Sequence, residues 1–199
     1  MRFIYLMLLF LITVPYSKPL HSQVIEEPRA QDYYPLAKGN SWKYNVIDAS
    51  ERSGSTVEWR VTSAAKGKDG VVYQVWQKPS QSDDSAMRLR SSPSGIVEDS
   101  SGTFIFKIPA TLGQKWETSN PSHRNFRIVS VGMPCRAGSI QAADCIAVEE
   151  LDTHLRLKVV TTYARGIGPI RYEYYRSGAR QKGPIQILEL LSFSVAGQR

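Results

Sequence analysis

Alternation is what most constrains this chain. Leu155, Leu157, Val159, Thr161 and Tyr163 are interleaved with Arg156, Lys158, Val160 and Thr162, and a period of two places each set on one face of a strand. The same rhythm recurs in Trp42, Tyr44 and Val46, in Val57, Trp59 and Val61, in Phe104, Phe106 and Ile108, and in Phe126, Ile128 and Ser130. Polar or glycine-bearing stretches such as 48–55, 66–70, 91–95 and 176–182 separate these runs. Beyond the first residues no segment of ten or more keeps a helical period. Strands at this spacing predict an all-β domain of about ten strands in a single antiparallel meander, either a curved open barrel or a two-sheet sandwich.

The N-terminus follows a different rule. Arg2 precedes an apolar run from Phe3 to Val14 interrupted only by Thr13, and Pro15 breaks it. Twelve residues are too few for a bilayer span, which takes about 20 in a helix. Residues 1–22 therefore read as a secretory signal, 23–32 as a polar flexible leader, and 33–199 as one β domain. The first cysteine is Cys135, so the expected product is exported, periplasmic or secreted, and not lipid-anchored. Loss of Arg2 and Lys18 with the signal lowers the formal charge from +7 to +5. So modest an excess suits weak contact with an anionic envelope surface and equally suits ordinary solubility.

Two segments carry a more specific pattern. Tyr33-Tyr34-Pro35-Leu36-Ala37-Lys38-Gly39-Asn40-Ser41-Trp42-Lys43-Tyr44 joins an aromatic anchor to a glycine turn and a strand. Tyr163-Ala164-Arg165-Gly166-Ile167-Gly168 leads into another strand through Pro169 to Glu173. Their alternating apolar side chains predict a shared buried face. Leu112-Gly113-Gln114-Lys115-Trp116 looks like a weaker second copy of the first turn and tryptophan. The first two segments resemble the opening and closing motifs of the TapB-like family, exported bacterial proteins of unknown function. That resemblance implies an antiparallel β fold in the envelope and transfers no activity, ligand or active-site residue.

Chemistry-bearing residues are sparse. Cys135 and Cys145 flank a glycine-containing turn in an exported chain, which favours a disulfide across a hairpin, with two unpaired thiols as the alternative. Glu150, Asp152 and His154 would share a face on an unbroken strand and could then approach a metal, but Asp152-Thr153 reads as a turn that scatters them. Glu149 and Glu150 point to opposite faces, and Asp83-Asp84 lies in a polar loop, so neither pair suits acid–base catalysis. No Gly-x-Ser-x-Gly elbow occurs, and after the signal only His123 and His154 remain. No cofactor, metal or catalytic residue is expected, and the chain is read as not an enzyme.

Arg156, Lys158, Arg165, Arg171, Arg176, Arg180 and Lys182, with Tyr172, Tyr174 and Tyr175 nearby, mix positive charge with aromatic rings. Such a mixture can hold single-stranded nucleic acid, a partner that export argues against; an anionic glycan or lipid head group fits better, and a solvated outer face better still. The leading expectation is an envelope domain that binds a protein or apolar partner through its curved sheet. The alternative is a lipid or small-molecule carrier with a barrel interior lined by Trp59, Trp76, Phe104, Phe106 and Tyr163. A metal-dependent hydrolase using Glu150, Asp152 and His154 is the weakest.

Overall fold

A computed structural model of the chain describes residues 27–49, 54–78, 86–118, 123–178 and 183–196. The alternating runs become strands in two series. The first is β1 (Ser41–Asp48), β2 (Ser55–Gly67), β3 (Gly70–Lys78), β4 (Met87–Ser92), β5 (Gly95–Glu98) and β6 (Thr103–Lys107). The second is β7 (Lys115–Glu117), β8 (Arg124–Ala137), β9 (Ile140–Asp152), β10 (Leu157–Ala164), β11 (Gly168–Arg176) and β12 (Gln186–Ser194). A short helix, α1 (Ala30–Tyr33), precedes them.

Within each series successive strands pair antiparallel, and β12 returns to β1 with Ser41 opposite Ser194 and Asp48 opposite Gln186. One sheet of twelve strands results, in the order β6-β5-β4-β3-β2-β1-β12-β11-β10-β9-β8-β7. Its two edges, β6 and β7, are neighbours in sequence and meet through side chains instead of a ladder. Trp116 Nε1 on β7 donates to the Phe104 carbonyl on β6 at 2.7 Å, and Arg124 Nη1 reaches Glu98 Oε2 on β5 at 2.9 Å. Lys107 sits 4.9 Å from the Phe104 ring and 5.4 Å from the Trp116 ring, covering the same seam. The result is a nearly closed barrel, the first of the two expected architectures, with more strands than expected. Curling the sheet shields its edges, which would otherwise offer unpaired backbone groups to another chain.

Each series opens with the same local device. Gly39 N donates to Val61 O at 2.9 Å and Asn40 O accepts from Val61 N; Gly113 N donates to Ile128 O at 2.8 Å and Gln114 O accepts from Ile128 N. Both glycines have positive φ, +95° and +80°, a conformation that costs a glycine nothing. The tryptophan three residues on then reaches across the barrel wall, Trp42 Nε1 to Ile167 O at 2.7 Å and Trp116 Nε1 to Phe104 O. The second copy read from Leu112 to Trp116 is thus a structural copy as well.

The turns gather at two ends. One end holds Gly39, the Gly67–Gly70 turn, Pro93, Pro109, Gly138 and Gly166, and the chain before β1 folds into it as a plug. Ala30, Tyr33, Tyr34 and Leu36 are all at most 4% exposed. Tyr33 Oη donates to Asp144 Oδ2 at 2.8 Å, Gly166 N to Asp32 O at 2.6 Å, and Arg165 stands 3.7 Å from both Asp32 and Asp144. The two sequence motifs do share a buried face: Trp42 bonds Ile167, Tyr44 Oη bonds Pro169 O at 2.8 Å, and Gly168, with φ +109°, lies so close to the Trp42 indole that a Cβ would come within 2.8 Å of it. The ordered plug reaches back to Ala30, so residues 30–32, expected in a flexible leader, belong to the packed body. The signal reading for 1–22 and the rest of the leader to residue 26 lie outside the described residues.

Leu155, expected inside, is 67% exposed, because the chain turns over 153–156 before β10 begins at Leu157. Arg156 sits in that turn with φ +52°. The Cys135–Cys145 disulfide is formed across the β8–β9 hairpin.

Candidate functional site

Inward-pointing side chains fill most of the barrel. Phe106 is completely buried between Tyr33 and Tyr163, with ring centroids 5.8 and 4.9 Å away. Trp42 packs edge-on against Tyr34, and Tyr44 edge-on against Tyr172. Below this layer, toward the end opposite the plug, packing stops short. A cavity of about 190 Å³ remains, walled by Tyr34, Trp59, Tyr163, Tyr172 and Tyr174 with Met87, Ile105, Val148, Val159, Thr161, Arg124 and Glu150. Met87 and Arg124 are the first residues of their strands, which sets this cavity toward the end opposite the plug.

Two buried polar atoms in the wall have no hydrogen-bond partner: the Tyr34 hydroxyl and Trp59 Nε1. Tyr34 is 1% exposed. Burial pushes its pKa far up, and the neighbouring Tyr172 phenol tempers that rise. Nearly all buried polar groups in folded proteins are paired, and an unpaired one forgoes about 1–3 kcal/mol. Larger depressions exist at the disulfide hairpin, about 500 Å³, and beside Pro28, Pro93 and Ile108, about 440 Å³. Neither includes an unpartnered buried atom among the described residues.

Charge is concentrated at the cavity mouth. Arg124 Nε meets Glu150 Oε1 at 2.5 Å while Nη1 meets Glu98, whose Oε2 also accepts from Ser101 Oγ at 2.7 Å. The guanidinium further lies 5.3 Å from the Phe126 ring. Burial works against its charge, yet the two carboxylates outweigh burial and hold its pKa above the ordinary arginine value. Among the described residues at this mouth, the carboxylates of Glu98 and Glu150 share the one guanidinium of Arg124. Burial raises Tyr163 and Tyr174 as well, the latter to about 12, and the Glu150 charge adds to both shifts.

The expected site residues scatter. Of the proposed carrier lining, Trp59 and Tyr163 face the cavity and Phe106 is solid core. Trp76 and Phe104 stand outside the buried cluster. Trp76 falls out of phase because Tyr73 and Val75 turn inward on β3. Glu149 and Glu150 do point to opposite faces: Glu149 meets Arg127 and Lys158 outside, while Glu150 enters the cavity. The Glu150, Asp152, His154 set does not converge, since His154 lies in the turn, and no metal-ligating cluster occurs among the described residues. Three of the five described members of the basic cluster are answered by acids: Lys158 by Glu149, Arg165 by Asp32 and Asp144, Arg171 by Glu173 and Glu189. Arg180, Lys182, Asp83 and Asp84 lie outside the described residues. Arg124 was absent from every sequence expectation; its partner is 26 residues away, and only strand register brings the two together.

No protein-family model matches the chain, and no curated protein matches it. The TapB-like resemblance therefore rests on the two motifs alone. Among solved structures, a candidate exported protein with YmcC-like fold from Bacteroides fragilis aligns at 13% identity and a TM-score of 0.42, over 81% of this chain and 98% of that one. A candidate lipoprotein from Parabacteroides distasonis aligns at 9% identity and a TM-score of 0.39, with the same coverage. At such low scores neither likeness informs the role of this chain. No helix among the described residues is long and apolar enough to cross a membrane.

Proposed function

We propose that this protein is an exported, non-catalytic β-barrel module that holds a small ligand, or the tip of a larger one, in the cavity at the end opposite the plug. The observation that carries this reading is the pair of unpartnered atoms, Tyr34 Oη and Trp59 Nε1, both in the wall of one cavity. A cavity of about 190 Å³ is smaller than the ~300–1,000 Å³ usual for drug-sized ligands, so one ring or a short terminal group is the scale it suits. Glu150, the carboxylate in the wall, is held by Arg124 and is thereby engaged in positioning instead of poised as a free base. This is the carrier reading in a reduced form, with a largely filled barrel and one small cavity in place of a hollow one.

A thermal-shift panel of neutral sugars, alkyl alcohols, quaternary amines and carboxylates on the purified chain tests the reading. One class should raise Tm, and Val159→Trp, which fills the cavity, should abolish the rise. Should that variant fail to fold, the Trp59 indole proton of the unaltered chain reports binding directly. Turnover of any panel compound, or no response to any class, would overturn the reading.

A further inference from the structure

We infer that the cavity takes an uncharged, polyhydroxylated ring of the saccharide kind; this rests on the binding role just proposed and specifies its chemistry. Trp59 Nε1 is a donor only, so whatever answers it must carry an acceptor. Tyr34 Oη can donate or accept, and a hydroxyl on the ligand satisfies it either way. A hydrocarbon chain would leave both atoms as they are. A quaternary ammonium has no lone pair for the indole, although the aromatic wall would suit its charge.

The mouth decides the sign of the charge. Glu98 and Glu150 flank the single guanidinium of Arg124, and the ring faces of Tyr163, Tyr172 and Tyr174 add negative quadrupole density. A carboxylate or phosphate entering here would meet the carboxylates of Glu98 and Glu150, and Arg124, the one cation among the described lining residues, is already engaged by both. A neutral ring meets none of these costs. Its hydroxyls answer Trp59 and Tyr34 and can donate to the acceptor sites left on Glu150, while its C–H surface lies on Tyr172, Tyr174 and Val159. Nonpolar walls with a few placed polar groups are the usual make-up of a small-molecule site. The same ring could arrive free or as the last unit of a longer chain.

The test is the Trp59 indole N–H signal in the folded chain, assigned by its loss in Trp59→Phe. Methyl glycosides of the common hexoses, the corresponding disaccharides, glucuronate, choline and hexanol are titrated in turn. A neutral glycoside should move the signal and bind at least tenfold more tightly than glucuronate. Tyr34→Phe should weaken it by about tenfold with the indole shift retained. If that variant does not fold, the preference over glucuronate still decides. Equal or tighter binding of the disaccharide would assign the site to a chain end, and weaker binding to a free unit, the saccharide class standing in both cases. Choline, hexanol or glucuronate moving the signal while every glycoside fails would overturn the ligand class and leave the binding role intact. No movement with any probe would overturn both.

Discussion

The two ends of the barrel are furnished alike and finished differently. At the plugged end Tyr33, Trp42 and Tyr44 each pass their polar atom to a partner, respectively Asp144, Ile167 and Pro169. Asn40, 2% exposed, uses its amide on the Pro35 carbonyl at 2.6 Å and its oxygen on Ala196 N at 2.9 Å. Toward the opposite end the fully buried Tyr34 and the half-buried Trp59, the same residue types, have no partner for their buried polar atoms. The border falls between consecutive residues, since Tyr33 reaches up to Asp144 while Tyr34 faces the cavity. A satisfied end is one that folding has completed. The unpaired atoms at the other end are the observation on which the proposed function rests.

The largest effect that can break this contrast is alkaline titration, which acts on both ends together. Burial lifts Tyr44 and Tyr172 well above the usual phenol pKa, and lifts Tyr34 and Tyr163 too. Tyr174, at about 12 through burial and the Glu150 charge, lies within reach. A folded value above the unfolded one, near 10, means that the stabilisation is whole below pH ~10 and vanishes as pH climbs through the folded value. For Tyr174 alone that is about 2–3 kcal/mol between pH ~10 and ~12, and the fully buried phenols add to it. Phenolate absorbance and loss of near-ultraviolet dichroism should rise together above pH ~10. Tyrosines titrating near 10 in an intact fold would show that the interior is wet.

Trp42→Ala comes next and is confined to the plugged end. It empties a completely buried site, removes the bond to Ile167 and leaves Tyr34 without its edge-on neighbour. Truncating a buried aromatic to alanine typically destabilises by about 3–5 kcal/mol, measurable by urea denaturation. Trp59→Phe deletes an indole whose N–H bonds nothing and should cost far less. Equal losses would erase the distinction between the ends. The Cys135–Cys145 bridge ranks third: opening its short loop by Cys135→Ser with Cys145→Ser should cost about 2–3 kcal/mol on the chain-entropy model. Ligand binding at the far end should be unmoved.

How much of this was legible follows from what each feature depends on. Strand alternation, the disulfide and the pairing of the Tyr33–Tyr44 and Tyr163–Glu173 motifs are local or compositional, and all three are present in the structure. Ring closure is neither: β12 meets β1 across 153 residues from Ser41 to Ser194, and nothing in either strand names its partner. Other features were hidden as well. Trp76 is turned outward by the uninterrupted alternation of β3 through Tyr73 and Val75. A register shift between Ile96 and Val97 in the β5–β6 pairing accompanies the displacement of Phe104. One added residue reverses the face of everything beyond it. The site was the least legible part, because its signal is two atoms that lack partners, and absence of a partner has no sequence signature.

The finest test uses the adjacent tyrosines. Tyr33→Phe removes a hydroxyl bonded to Asp144, leaves that carboxylate with Arg165 as its neighbour, and should destabilise by about 1 kcal/mol, the usual net value of such a bond. Tyr34→Phe removes a hydroxyl that folding strips of water and repays with nothing. Phenylalanine keeps the edge-on contact with Trp42 and the tilted one with Tyr163. The unliganded protein should therefore gain about 1 kcal/mol or more. Two identical chemical changes at neighbouring positions are thus expected to move Tm in opposite directions. A loss at both would mean that Tyr34 has a partner after all, such as an ordered water, and that the end opposite the plug is finished too. A gain at Tyr34 together with weaker ligand binding would fit a residue whose cost to folding is retained for what it holds.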